Sequence, residues 1–276
     1  MTQKPIVNLI GAGNVGQTLC HLLVRAGLCD VQDITNRTPE KSSLAAEFIG
    51  AGRPVTRLQD MRPADIWLIT VSDTSVAAVA ADLAACDQSP AIAVHCSGFL
   101  SATEMAPLGA NGWQLASAHP ATTFANQAVS VAQFAGTYCG LEGDETAVAT
   151  LELLFTGIGA RCFPVRTEAK ALYHAAAVLS CNLTTVLQAI AQEAWAEAGV
   201  PQDAMHGLHA ALLKNTNDTI LTLGPEAALT GPAARNDRDV VTRQHAVVAD
   251  WHPEAGGVYE ALSTMATRLK QTGKTR

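Results

Sequence analysis

The sequence predicts an α/β domain built on a mostly parallel sheet, followed by an all-α domain, and three observations carry that expectation. An apolar strand runs into a glycine-rich turn and an amphipathic helix at the start of the chain. Apolar segments of strand length then alternate with helical segments up to Val165. Beyond Arg166 the strand and turn signals give way to long, alanine-rich helical stretches. A chain of 276 residues, 48% hydrophobic and 16% charged, has the length and composition for two globular domains, expected at 1–165 and 166–276.

The first strand, Ile6–Ile10, leads directly into Gly11, Gly13 and Gly16. Gly11 suits a tight turn, Gly13 a close backbone approach to a pyrophosphate, and Gly16 the packing of the helix on the sheet. Asn14 and Val15 lie between these glycines and belong to the same expected cofactor-binding turn. The helix that follows, with Leu19, Leu22, Leu23 and Ala26 on one face, presents its free N–H groups and positive dipole end to the phosphates.

A second strand should end at Asn36, with Thr38 as N-cap and Pro39 as first residue of the next helix. An acid at this strand end would accept the ribose 2′-hydroxyl of NAD. Here Asn36 and Arg37 stand instead, and a guanidinium pairs with a 2′-phosphate, so the expected cofactor is NADP(H). Asn36, Thr38 and Ser42 are candidate hydrogen-bonding partners, and Asp33, inside the strand, is a competing ribose ligand.

Strands are expected at residues 54–58, 65–71, 91–95 and 113–118. Ligands of open parallel sheets bind beyond the strand C-termini. Val71, Ser72 and Asp73 therefore border the nicotinamide ribose, although Asp73 equally suits a helix cap. Ser97 and Gly98 are placed to touch substrate or nicotinamide. His95 and His119 close consecutive strands, each open to a structural or a catalytic role.

A helix and a last strand, ARCFPV, close the first domain by Val165. A helix of about 30 residues follows from 167 to 198, then helices at Gln202–Leu223, Arg238–Trp251 and 253–270, and a frayed tail. Lys170 and His174, four residues apart on one helical face, are candidate acid/base groups; packed alternatives are a snorkelling lysine and a core histidine. Asn182 lies two turns beyond His174, rotated by roughly 80° at 3.6 residues per turn. His206 and His209 lack a third ligand nearby, so no metal is expected.

A net charge of −7 argues against nucleic-acid binding. Seven cysteines without a CxxC pair, together with no leader and no run of about 18 apolar residues, lead us to expect a cytoplasmic protein with reduced thiols and no membrane contact.

KALYHAAAVLSCN (170–182), SAHPATTF (117–124) and LTGPAARND (229–237) resemble bacterial Rossmann-like proteins whose C-terminal helical region is a domain of unknown function. The glycine turn with Asn36-Arg37-Thr38 is similar to the NADP-binding half of pyrroline-5-carboxylate reductases, deazaflavin-dependent NADP reductases and the ketopantoate reductase superfamily. His119-Pro120 resembles the His-Pro turn of prephenate dehydrogenases.

The resemblance implies a Rossmann-type domain followed by a dehydrogenase-type helical domain, and a homodimer through the latter. It implies His119, Lys170, His174 and Asn182 around a reacting carbonyl, with Ser97 and Gly98 on the sheet side. Arg235, in a loop with Gly231, Pro232 and Asp237, is implied as a contact to a substrate carboxylate; a surface pair with Asp237 is the alternative. The superfamily places asparagine four residues after the lysine, where this chain has His174. The implied activity is NADP(H)-dependent hydride transfer to a carbonyl or imine of a small carboxylate substrate, with ketopantoate first. The alternatives are a deazaflavin-dependent NADP oxidoreductase, or an NADP(H)-binding redox sensor in which Lys170 and His174 are packed away from the nicotinamide.

Overall fold

The computed structural model describes residues 4–276. The chain divides into two compact units, Met1–Ser180 and Cys181–Arg276. That division falls later than residue 166, because the first part of the long helix packs with the sheet rather than with the helices that follow.

The first unit carries β1 (Ile6–Ile10), α1 (Asn14–Arg25), β2 (Asp30–Thr35), α2 (Pro39–Ile49), β3 (Arg53–Val55), β4 (Ile66–Ile69), α3 (Asp73–Ala84) and β5 (Ile92–His95). It continues with α4 (Ala106–Ala110), β6 (Gln114–Pro120), α5 (Gln127–Gln133), β7 (Tyr138–Gly143), α6 (Glu145–Gly157), β8 (Arg161–Pro164) and α7 (Lys170–Val178). The eight strands form one sheet in the order β3-β2-β1-β4-β5-β6-β7-β8. The first six strands are parallel, β7 is antiparallel to β6, and β8 is parallel to β7.

Apolar cores lie on both faces. Leu9, Leu19, Leu23, Ile34, Leu68, Leu151 and Phe155 fill one. Ile10, Trp67, Ile69, Val76, Leu83 and Leu108 fill the other. Continuous burial of β4, all four residues of which are inaccessible, is what a parallel strand covered on both sides requires. Thr38 caps α2 through Lys41 N–H, and Pro39 is the first helical residue, as its fixed φ favours.

Asp33 is not available to a ribose. Its carboxylate is fully buried and takes Arg53 Nε (2.9 Å), Arg62 Nη2 (2.7 Å) and Arg62 N–H (2.7 Å). Asn8 extends the network, accepting Asp33 N–H (3.1 Å) and donating to Arg62 O (2.7 Å). Burial alone would raise this carboxyl, but the hydrogen bonds from Arg62 and Arg53 outweigh it and hold the pKa at about 2. The network ties β1, β2, β3 and the approach to β4 together at the end remote from the glycine turn.

The second unit holds α8 (Thr184–Glu197), α9 (Gln202–Leu223), α10 (Pro225–Ala228), α11 (Arg238–Trp251) and α12 (Pro253–Thr272). His209 is clamped on α8 by Gln188 Oε1 and Gln192 Nε2, both at 3.1 Å, and is stacked edge-on by Trp195. It is a packing residue. Among the described residues no group of three or more His, Cys, Asp or Glu could hold a metal. At the α11–α12 crossing a side chain on Gly256 would stand 2.7 Å from Ala249 Cα, so glycine sets how closely these helices meet.

The expected single helix from 167 to 198 is composite. A 3₁₀ turn, Thr167–Ala169, precedes α7, and a π turn, Leu179–Leu183, joins α7 to α8. The run Thr167–Glu197 is long and apolar enough to cross a membrane by length and composition, contrary to the expectation of no such stretch. Its alanines raise the mean hydropathy. Its first turn, however, is tied into the sheet unit by Lys170, which is 1% exposed.

Asp33→Asn should destabilise the protein at neutral pH, on the order of 2 kcal/mol for a charge-assisted buried hydrogen-bond network. The carboxyl is depressed in the folded state, so its contribution is present above about pH 4 and is lost as pH falls through about 2. Urea unfolding across that range should show the variant losing less stability on acidification than the parent.

Candidate functional site

The nucleotide cleft lies where the strand order reverses between β1 and β4, the topological switch point of such sheets. It has a volume of about 780 Å³, and its lining includes Gly11, Gly13, Asn36, Arg37, Val71 and Ser72. Gly11 has φ +83°, donates its N–H to Thr35 O (2.9 Å), and lies so close to the β4 exit that a Cβ would stand 2.6 Å from Val71 Cγ1. Any side chain there would break the seam between the two strand ends. Nothing lies within 4 Å of the Cβ position of Gly13, which leaves that backbone open to a phosphate. A Cβ on Gly16 would overlap Thr70 Oγ1 and stand 2.8 Å from Leu9 Cδ1, so Gly16 seats α1 on the sheet. The N-cap of α1, Gly13, receives no side-chain cap, and the helix's free N–H groups point into the cleft.

Asn36 lies just past β2; its amide donates to Ala12 O (3.2 Å) and accepts Arg37 N–H (2.8 Å), bracing the turn. Arg37 is exposed on the lining and enters no ion pair among the described residues. Lys41, one turn into α2, lines the same cleft and was not singled out from the sequence, where a surface lysine carries no distinguishing signal. These two cations, with the open helix N-terminus, fit the diphosphate and the 2′-phosphate of NADP(H).

Several residues of the expected cofactor set also brace the local scaffold. Thr38 spends its hydroxyl on the α2 cap. Ser42 is fully buried and donates to Thr38 O (3.5 Å). Val15 packs against the core. Asn14 donates its amide to Phe124 O (2.8 Å) and Ala125 O (3.0 Å), joining the first turn of α1 to the loop after β6. Ser72, not Asp73, is the N-cap of α3; Ser72 shares its hydroxyl with Ser75 (2.9 Å), and Asp73 is the first helical residue.

Farther along the same C-terminal sheet edge, beyond β5 and β6, the second cluster assembles. His95 is buried and structural: Nδ1 accepts Ser97 N–H (3.2 Å), so Nε2 carries the proton and donates to Ser101 O (3.0 Å). Burial lowers its pKa to about 4. Ser97 Oγ accepts the N–H groups of Phe99 (3.1 Å) and Leu100 (2.9 Å) and so shapes the turn. That turn presents Gly98. A Cβ there would overlap His174 Nδ1 and stand 2.8 Å from His119 Nε2. Both imidazoles thus aim a nitrogen at the space over one glycine, their rings 5.6 Å apart and nearly perpendicular.

His119 is half-buried. Its Nδ1 shares a 2.9 Å hydrogen bond with the Tyr173 hydroxyl. Burial, with the nearby Lys170 charge and His174, lowers its pKa to about 4, so the ring is neutral at physiological pH. His174 Nδ1 is buried and has no hydrogen-bond partner among the described residues, an expensive state for a ring nitrogen unless a ligand completes it.

Lys170 lies beneath this pair. It donates through Nζ to Ser117 Oγ, and burial lowers its pKa. At 1% exposure it is packed away from any substrate, a departure from its expected direct role in proton transfer. The buried acid Glu142, opposite Ser117 in the β6–β7 register, accepts Ala102 N–H (2.7 Å) and Thr167 Oγ1 (2.9 Å), pinning the entry to α7. Tyr173, Ser117 and Glu142 were not anticipated, since β7 gave no clear strand pattern and its partners across the sheet had no counterpart in sequence spacing.

Asn182 lies in the π turn and belongs to the second unit. The extra residue of that turn changes the helical phase, so the 80° rotation estimated from an uninterrupted α-helix does not hold. Arg235, also in the second unit, is exposed and paired with Asp237 at 2.9 Å, the weak surface pair that was its alternative.

Comparison with known proteins agrees with the two halves separately. Residues 6–97 match the family described as NADP oxidoreductase, coenzyme F420-dependent. Over that stretch the chain is similar to NADP oxidoreductases. Residues 137–266 match a domain of unknown function, DUF2520. No curated protein matches the chain. Among solved structures, a protein from Thermotoga maritima is 23% identical over 97% of this chain and 99% of its own, with a TM-score of 0.76. An imine reductase from Myxococcus stipitatus aligns over 99% and 96% at 14% identity and TM-score 0.65. A pyrroline-5-carboxylate reductase from Coxiella burnetii aligns over 95% and 98% at 15% identity and TM-score 0.56. At these identities the likeness is one of fold. The NADP in the description of the family matched by residues 6–97 agrees with the cations Arg37 and Lys41 that line the cleft.

Arg37→Ala should raise the Kd for NADPH about tenfold or more, the worth of a charge-assisted phosphate contact, while leaving that for NADH nearly unchanged. Nucleotide fluorescence titration checks the difference; equal losses for both cofactors would remove Arg37 from the 2′-phosphate.

Proposed function

We propose that the chain is an NADPH-dependent reductase of a C=O or C=N bond in a small carboxylate substrate, with ketopantoate the first to try. One observation carries this reading: the nitrogens of His119 and His174 converge over Gly98, on the same sheet edge as the nucleotide cleft. When bound, NADPH supplies the hydride. The chain's own residues handle the oxygen or nitrogen of the reacting bond. His119, held neutral, offers its free Nε2 to that atom, and His174, its partnerless Nδ1 packed on Gly98, stands beside it. Lys170 acts from below through its charge, without contact. The relatives' printed activities, reduction of imines and of pyrroline-5-carboxylate, support a substrate of this class.

The printed name of the family matching residues 6–97 favours a second reading, transfer between NADP and coenzyme F420. A sensor reading draws support from the burial of Lys170, and is opposed by the partial exposure of His119 and His174 on the sheet edge that carries the cleft. Pairing of two chains through the helical unit belongs to the main proposal. Large apolar side chains such as Leu183, Val186, Leu212 and Val247 are 45%, 52%, 48% and 70% exposed there, more than a solitary helical unit normally leaves uncovered.

NADPH oxidation followed by absorbance, against 2-oxo acids and cyclic imino acids led by ketopantoate, tests the reading, with coenzyme F420 as a parallel acceptor. One carboxylate should turn over. His119→Ala should lower kcat by about 100-fold or more, as loss of a general acid does, with NADPH binding intact. Gly98→Ala should do the same by displacing both rings. Tight NADPH binding with no turnover on the carboxylates would overturn the proposal.

A further inference from the structure

The hydroxyl of Tyr173 has one hydrogen-bond partner among the described contacts, Nδ1 of His119 at 2.9 Å, with the rings edge to face at 5.6 Å. The sheet is cut away to permit this. Gly140 is the cross-strand partner of His119 on β7, and a Cβ there would stand 3.0 Å from the Tyr173 hydroxyl oxygen. Glycine therefore clears both sides of one imidazole: Gly98 at its Nε2 and Gly140 at the tyrosine that holds its Nδ1. A histidine with one nitrogen hydrogen-bonded inside and the other packed over a bare glycine, without a hydrogen-bond partner of its own, has its tautomer decided by the inner partner.

We infer that Tyr173 is a positioning residue that donates its hydroxyl proton to Nδ1 of His119, so that Nε2 carries the proton presented to substrate. This rests on the reductase reading above. A phenol is a much better donor than acceptor, and burial raises Tyr173 further, which keeps it protonated.

The consequence for the reaction follows atom by atom. Hydride from NADPH forms the new C–H bond and yields NADP⁺, and the π electrons of the C=O bond move to oxygen. The Nε2–H bond of His119 breaks as the substrate O–H forms. The Tyr173 O–H bond breaks as Nδ1–H forms. His119 ends as the other neutral tautomer, and the phenolate recovers a proton from water. His119 never needs to be an imidazolium, in keeping with a pKa near 4. The groups whose charge faces it are Lys170 and His174 on α7 and Asp73 on α3.

The test has two readouts on the full chain. Nitrogen-15 NMR of histidine-labelled protein, with His119→Gln for assignment, should show His119 as the Nε2–H tautomer with Nδ1 an acceptor, and Tyr173→Phe should shift that population towards Nδ1–H. A wild-type His119 in the Nδ1–H form would overturn the inference whether or not any substrate is known. In turnover, Tyr173→Phe should lower kcat by about tenfold to a hundredfold, within the range of general acid catalysis, with KM and NADPH affinity within about twofold. The solvent isotope effect on kcat should change as well. An unaltered kcat would equally overturn it. If no carboxylate turns over, the reductase reading fails by itself, and the tautomer result still decides what Tyr173 does.

Discussion

A single buried ammonium organises the histidine cluster of this protein. Lys170, at the first turn of α7, reaches the interior of the sheet and donates to Ser117 on β6, which in turn donates to Ser97 O (3.4 Å). A charge taken out of water must find compensation, and here it has a hydroxyl in contact and the carboxylate of Glu142 on the neighbouring strand. Because that anchor sets the start and rotation of α7, Tyr173 and His174 emerge on the sheet edge where β5 and β6 end. The same charge helps keep His119 neutral. Position and protonation state thus share one cause.

The nucleotide side is governed by close approach rather than by charge. Gly11 brings the ends of β1, β2 and β4 within contact distance, and Gly16 lets α1 settle behind them. Each substitution that fits the chain poorly at these points would separate the helix N-terminus from the strand ends that define the cleft. The cations Arg37 and Lys41 then act on a surface already shaped by backbone.

Local signals made most of the fold legible. The strand, glycine turn and helix at the start, the Thr38-Pro39 entry to α2, and the helices Gln202–Leu223 and Arg238–Trp251 all rest on short-range chemistry that a sequence displays directly. What stayed hidden depends on long-range pairing. The segment Tyr138–Gly143 carries two glycines and a charged residue, a poor strand by composition, and becomes one because β6 and β8 flank it. Lys170 reads as a surface residue until Ser117, more than fifty positions earlier, is brought to it. The hydroxyls of Thr38, Ser42 and Ser97 looked free for ligands because their backbone partners appear only once the turns are formed. The π turn at Leu179–Leu183 has no compositional mark, so the phase of Asn182 could not be foreseen.

The Asn14 amide gives the two regions a shared hinge pin. It holds the carbonyls of Phe124 and Ala125, the fifth and sixth residues past His119, from the first residue of the helix whose N-terminus faces the cleft. The segment leaving the histidine is therefore stitched to the first turn of α1 as well as to its own strand end, where Thr122 N–H donates to Pro120 O (2.9 Å). Such a stitch makes the exit from His119 and the start of α1 a single mechanical piece, so a displacement of either is carried to the other.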